Sequence, residues 1–425
     1  SGVRHQRQLA AERRAAQAEE QARWLDQGEK NPHSAAHFGM WAFRPASALA
    51  LADRGTDGYV GVGVFLEAHH MNAFAWRPAQ DAPPVVRLGE LTAAFALQLV
   101  APLLVVLAGH GTLAGERERG TLRHLLAAGV APGALAAGKA IGMLGALALV
   151  AAPAALAAGA LVATGGAEPG RVAGLVAAYG AYLLGWAGLT LAVSASVRTA
   201  RTALVGLFGC WLAACVVGPR LVAELAARRH PVPSAVAFRA ALDAELGPAH
   251  SSERSAARRA RILAQYGVAR TQELPIDWRG IGLQEEEERS YPIFDRHYGA
   301  LYDAYARQDG LLQRAGLLVP ALALQVLSAG LAGTDVVHHR HFAAAAEAHR
   351  RTMQRVLNHD VTLHDREGTD YRAGAALWAS LPRFAYQAPT FDAVRGAYAP
   401  AALALGGWLV GTATAAIVAM RRVRP

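Results

Sequence analysis

Charge is what this sequence has least of. Only 18% of its 425 residues are Asp, Glu, Lys or Arg, against roughly 25% in a soluble domain. The shortage is local, because long uncharged runs alternate with strongly polar stretches. That pattern excludes a single soluble globule and marks a polytopic membrane protein with polar insertions. Cysteine is nearly absent. Cys210 and Cys215 share one apolar run, and on a helix that spacing points them in different directions. No disulfide framework is expected, and both read as small packing residues. Lysine is scarce, so the net charge of +9 is carried by arginine. No basic patch interleaved with aromatics occurs away from the membrane-flanking positions, so no nucleic-acid partner is expected. No signal peptide is visible, and the chain opens on Ser1-Gly2 without a methionine.

Hydrolase signatures are missing too. Neither His-Glu-x-x-His nor Gly-x-Ser-x-Gly occurs. Gly133-Ala134-Leu135-Ala136-Ala137-Gly138-Lys139 matches the start of a phosphate-binding P-loop. The next residue is Ala140, where a Ser or Thr hydroxyl should meet magnesium, and an apolar run follows. The chain therefore reads as a non-enzyme without its own ATPase site.

What is present is a set of apolar runs. A bilayer core needs about 20 mostly apolar residues as helix. Five runs qualify: Leu91–Leu113, Ala140–Ala163, Val172–Val197, Ala203–Pro219 (extending through Ala223) and Ala399–Met420. Small residues fill them, including Gly142, Gly145, Gly159, Gly180, Gly185, Gly188, Gly406, Gly407 and Gly411, which lets helix backbones approach closely in lipid. Ala315–Gly333 is a further candidate, with Pro320 and Gln325 inside it and Arg314 at its edge. The basic connections Glu116–His124, Arg198–Arg201 and Arg421–Arg424 should share the cytoplasmic side. Five spans put them there. A crossing at Ala315–Gly333 would move the tail outside, so that stretch is read as a buried or surface helix of a polar domain.

The expected fold is thus an all-α polytopic membrane protein with five visible spans. Residues 1–90 form a first extracytoplasmic segment. Residues 91–223 hold spans, with a cytoplasmic helical connection at 114–137. Residues 224–398 form a second extracytoplasmic segment, and 399–425 the last span and a cytoplasmic tail. The two insertions would build one large, mainly helical domain, since runs such as Ser252–Gln265 and Phe342–Leu357 are rich in helix formers. Insertions this long normally carry function. With residues 1–90 outside, a further span should precede Ser1, making six in the full chain.

The most informative stretch is Glu116-Arg117-Glu118-Arg119-Gly120-Thr121-Leu122-Arg123-His124-Leu125-Leu126, followed by Pro132 and Gly138-Lys139. Leu122, Leu125 and Leu126 stand at helical spacing. Such a helix lies on the membrane face and offers its other side to a cytoplasmic partner. The stretch resembles the coupling-helix region of type-2 ABC exporter permeases, where Glu-x-Glu-x-Gly-Thr-Leu precedes a Pro and then a Gly-Lys at the next span. The order of spans is similar to that family's. The second large insertion, with Leu331-Ala332-Gly333-Thr334-Asp335 before His338-His339, resembles a subgroup with extended periplasmic domains.

The resemblance implies a permease subunit of an ATP-driven exporter. An ATP-binding cassette subunit, carrying ATP and magnesium, would dock on Glu116, Glu118, Arg119, Gly120, Thr121, Leu122, Leu125 and Leu126. A second permease subunit, identical or paralogous, would complete the path. The setting would be the bacterial cytoplasmic (inner) membrane, multi-pass in its bilayer, with the large domain periplasmic.

Histidine supplies the rival reading. Most of the 16 histidines fall in the polar segments. His33, His37 and Met40 stand at helical spacing, and His69-His70-Met71 follows. Asp335 with His338 or His339 could chelate a metal from one helix face. Methionine beside histidine suits copper. The alternative function is therefore a membrane-anchored module handling copper or zinc. The run Glu285-Glu286-Glu287-Glu288 reads as a solvated helix face.

Overall fold

A computed structural model describes residues 2–77, 92–248 and 251–423. The expected span start Leu91, the tail residue Arg424 and the last part of the first polar segment lie outside the described residues.

Each expected span is a helix. Among the described residues, five stretches are long and apolar enough to cross a bilayer: Ala93–Glu118, Pro169–Ser196, Ala200–Arg229, Pro320–His364 and Phe391–Arg421. A bent pair, Gly133–Leu149 with Ala151–Ala163, adds one more, with a 53° kink. The kink has a local cause. Pro153 lies inside this helix, so Leu149 loses its amide partner and its carbonyl meets the proline ring.

The elements run in the following order. The first polar segment holds α1 (Gly2–Leu25), α2 (Pro32–Phe38) and the strands β1 (Met40–Phe43) and β2 (Gly63–Leu66). The spans follow as α3 (Ala101–Gly109), the short helices α4 (Ala114–Glu118) and α5 (Thr121–Ala127), then α6 (Pro132–Ala163), α7 (Pro169–Ser196), α8 (Ala200–Trp211) and α9 (Gly218–Arg229). The second polar segment contains α10 (Ala235–Leu246), α11 (Ser252–Tyr266), α12 (Trp278–Ala315), α13 (Pro320–Ala332), α14 (Val336–His364), α15 (Ala375–Ser380) and α16 (Phe391–Val394). The last span is α17 (Ala399–Arg421).

Two π turns interrupt the spans, at Ala96–Val100 and Leu212–Val217. Pro102 and Pro219 lie just past them, and proline removes an amide that the helix ladder would use. The carbonyls of the first turn find other donors. Gln98 O accepts from Tyr182 Oη at 2.9 Å, and Leu99 O from Trp211 Nε1 at 3.0 Å.

Helix α7 is the centre of the bundle, with Tyr182, Trp186, Thr190 and Ser194 all fully buried. Its main partner is α17. A side chain at Gly185 would collide with the Trp408 ring, and one at Gly188 would stand 3.2 Å from the Thr412 backbone. These two glycines do what small residues do in lipid. Gly142, Gly145 and Gly159 of α6 face open space instead, so the expectation of close approach fails there.

The stretch Ala315–Gly333 resolves into α13, a helix of 13 residues. It packs against α7, α12 and α17, and most of its residues are buried. At about 1.5 Å per residue it is about 20 Å long, short of the roughly 30 Å hydrocarbon core. The stretch Pro320–His364 is therefore this buried helix followed by the polar α14. Arg171, expected in a loop, sits in the first turn of α7 and is buried. Its guanidinium donates to Gly330 O (3.2 Å), Leu331 O (3.3 Å) and Pro389 O (2.7 Å), covering the C-terminal carbonyls of α13.

The two polar segments share one core. Trp24, Met40, Val64 and Leu66 from the first pack with Phe342, Met353, Leu357 and Trp378 from the second. The Trp24 and Trp378 rings meet edge to face at 6.0 Å, and Trp24 Nε1 donates to Trp378 O at 3.2 Å. The β1–β2 pair, antiparallel with Met40 opposite Leu66, is the one sheet among the described residues.

The acidic run is not a solvated face. Glu285 and Glu286 pair with Arg254, Arg258 and Arg261 of α11. Glu287 is 0% exposed and meets Arg350 of α14 at 2.8 Å. Burial alone would push the Glu287 carboxyl up, but hydrogen bonds from His69 and the Arg350 charge hold it down at about 2. Only Glu288 faces solvent.

Two outcomes follow. Gly185→Val should destabilise the bundle by about 1–3 kcal/mol through overpacking, while Gly142→Val is tolerated; thermal unfolding in detergent compares them, and equal effects would refute the α7–α17 account. Arg350→Met should strip the partner from buried Glu287 and cost about 3–5 kcal/mol, read as loss of the folded polar domain to protease.

Candidate functional site

The stretch from Leu113 to Ala127 is a bent pair of short helices held at one end of the bundle. Its entry is fixed by Ser194, which is fully buried in α7. The Ser194 hydroxyl donates to His110 O at 2.7 Å and accepts from Leu113 N and Ala114 N, both at 3.1 Å. The amides that a helix start leaves unpaired are satisfied in this way.

The charged residues of α4 divide between two directions. Arg117 donates to Ala195 O at 2.9 Å and also to Val197 O, at the end of α7. Glu118 accepts from Ala200 N at 3.0 Å, the first amide of α8. A carboxylate there complements the helix N-terminus. Glu116 faces the other way. Its carboxylate takes Lys139 Nζ of α6 at 3.0 Å, with Arg119 at 3.8 Å, and accepts the Thr121 hydroxyl. Lys139, the last residue of the P-loop lookalike, therefore lies within a helix as an ion-pair partner.

Gly120 separates α4 from α5 with φ of 76°, a left-handed conformation that glycine adopts without penalty. Beyond it Leu122 is buried against Leu113, Ala195, Met420 and Val423, with Leu126 and Leu135 alongside. The three leucines do not form one membrane-facing stripe. Leu122 turns into the protein, onto the ends of α7 and α17, while Leu125 and Leu126 are half-buried. Arg119, Gly120, Thr121, Arg123 and His124 are exposed, as is Glu118 where it meets α8. Arg117, Lys139 and Ser194 were missed as site residues in the sequence. Arg117 lay within the quoted motif, but nothing local marked Ser194 among the small residues of its span.

The bend is charged and exposed, and it is attached to four spans, α6, α7, α8 and α17. The family model for "ABC-2 family transporter protein" matches residues 7–264. The chain belongs to the ABC-2 transporter family. It is a multi-pass permease subunit of an ABC transporter, from a family that works with an ATP-binding cassette partner. A second family model, "Domain of unknown function (DUF3526)", matches residues 234–387 of the second polar segment. No curated protein and no solved structure matches the chain.

In this permease Asp335 and His338 meet at the start of α14, and His339 does not join them in a group of three ligand atoms. Asp335 caps α14: Oδ1 accepts from His338 N at 3.1 Å and meets His338 Nδ1 at 2.6 Å. Its Oδ2 accepts from Tyr398 Oη at 2.7 Å. His339, one step of about 100° further round the helix, stands edge-on to Phe74 at 4.4 Å. The carboxylate is committed to the cap, and the two imidazoles point to different neighbours.

Arg117→Met should loosen the bend from the α7–α8 connection. Amide exchange at residues 197–200 should rise by about tenfold or more, with α14 unchanged. Unaltered exchange at 197–200 would refute the clamp.

Proposed function

We propose that this subunit is the membrane-spanning half of an ATP-driven exporter in a bacterial cytoplasmic membrane. Residues 114–137 form its contact with the ATP-binding cassette partner, which holds ATP and magnesium. Two permease subunits, identical or paralogous, enclose the path. The domain built from the two polar segments stands in the periplasm and receives, shapes or delivers the cargo.

The observation that carries this reading is the double attachment of the bend. Its inner side is fixed to α7 by Arg117, to α8 by Glu118, to α6 through Glu116 and Lys139, and to α17 through Leu122. Its outer side is free and charged. Closure of a nucleotide-bound partner against that outer side would tilt several spans together, which rocking of a rigid bundle requires. The side of the membrane rests on charge. The bend carries Arg117, Arg119 and Arg123, the α7–α8 connection carries Arg198 and Arg201, and α17 ends on Arg421 and Arg422. They share one end of the bundle, and arginine-rich short connections stay in the cytoplasm.

The test is co-purification with the ATP-binding subunit encoded beside this chain. Exposed positions are the right ones to change, because Leu122→Asp would put a charge into a buried cluster. The wild type should hold the ATPase in mild detergent, and Arg119→Glu with Arg123→Glu should release it while the permease elutes and melts as before. Retention of the ATPase by the double variant would remove the bend as the docking site. A wild type that captures no ATPase would remove the transporter reading of the bend altogether.

A further inference from the structure

Three histidines from two parts of the first polar segment converge in the permease's polar domain. His33 and His37 stand four apart on α2 and so share a face. His69 lies just past β2. The ring centroids are 4.8 Å apart for His33 and His37, 5.5 Å for His33 and His69, and 5.3 Å for His37 and His69. One ring nitrogen of each lies within 4.8 Å of the others. Among the described residues this is the one such group of His, Cys, Asp or Glu.

The third histidine is held as a ligand is usually held. His69 Nδ1 lies 3.1 Å from Glu287 Oε1, a carboxylate that Arg350 anchors and solvent does not reach. A carboxylate on one ring nitrogen fixes the tautomer and orientation and leaves the lone pair on the other, the usual outer-shell partner of a metal-bound imidazole. The His69 backbone has φ of 64°, a strained conformation for a non-glycine residue that only the surrounding structure sustains. His69 N also donates to Glu287 Oε1, so one buried acid fixes both backbone and ring. Entry is open, because His37 is exposed and a cavity of about 360 Å³ reaches His33 from between α11 and α12.

We propose that His33, His37 and His69 form a binding site for one divalent transition-metal ion of the zinc or copper(II) class. Three imidazoles with no thiolate suit these ions. Three protein ligands leave the fourth position to water or to an incoming donor. Side-chain torsions close the present spacing to metal–nitrogen bonds of about 2.0–2.1 Å. The site is independent of the docking bend, and the chain alone tests it.

The experiment uses the untagged full chain in detergent, stripped with chelator and titrated separately with zinc and copper(II), with bound metal counted by mass spectrometry. The wild type should hold one ion per chain. Exposed His37→Ala should weaken binding about tenfold or more, and His33→Ala with His37→Ala should abolish it. Saturating metal should raise the melting temperature of the wild type but not of the double variant, which also shows that the variant folds. Equal metal content in wild type and double variant, or unchanged affinity in His37→Ala, would overturn the site.

Discussion

The close crossing of α7 and α17 at Gly185 and Gly188 is the constraint on which the rest of the permease depends. Lipid gives two apolar helices no hydrophobic reason to associate. What holds them is dispersion at short range, which weakens sharply once a gap opens. Two residues without side chains, three apart on one helix face, permit that range. With α17 fixed against α7, the two ends of α7 acquire their tasks. At one end Arg171 reaches the carbonyls that end α13. At the other, Ser194 takes the amides of Leu113 and Ala114, while Ala195 and Met420 close over Leu122. One helix thus joins the polar domain to the charged bend.

The spans are not ideal cylinders, and their irregularities have chemical causes. Pro153 kinks α6, and Pro102 and Pro219 accompany π turns. Each proline removes a ladder amide. In hydrocarbon a carbonyl left bare costs several kcal/mol, and the side chains of Tyr182 and Trp211 supply donors at the first turn. Two of the polar side chains in these spans therefore serve the backbone.

The polar domain depends on a buried ion pair in the way the bundle depends on glycine. Glu287 and Arg350 join α12 to α14, and the same carboxylate reaches His69 in the first segment. A buried pair is weak evidence for stability but strong evidence for register. It fixes which turn of α12 faces which turn of α14, and where the strained loop after β2 is pinned. The Trp24–Trp378 contact closes the other side.

Much of this was legible in the sequence because it is local. Hydropathy located the spans, since a stretch of chain in lipid must be apolar along its own length. Glycine at position 120 broke the bend, and the spacing of Glu116, Gly120 and Leu122 marked it. The partners were not legible. Glu285 to Glu288 look alike in sequence, yet one is buried, two bind α11 and one is wet. Asp335 caps a helix that begins beside His338, whereas His69 is tied to an acid 218 positions away. Composition and periodicity are properties of neighbours along the chain, so the sequence by itself determined a helical membrane protein, its spans and its charged bend. Which polar side chain meets which depends on how distant helices pack, so only the tertiary structure decided the clamp at Ser194 and Arg117, the burial of Glu287 and the meeting of three histidines.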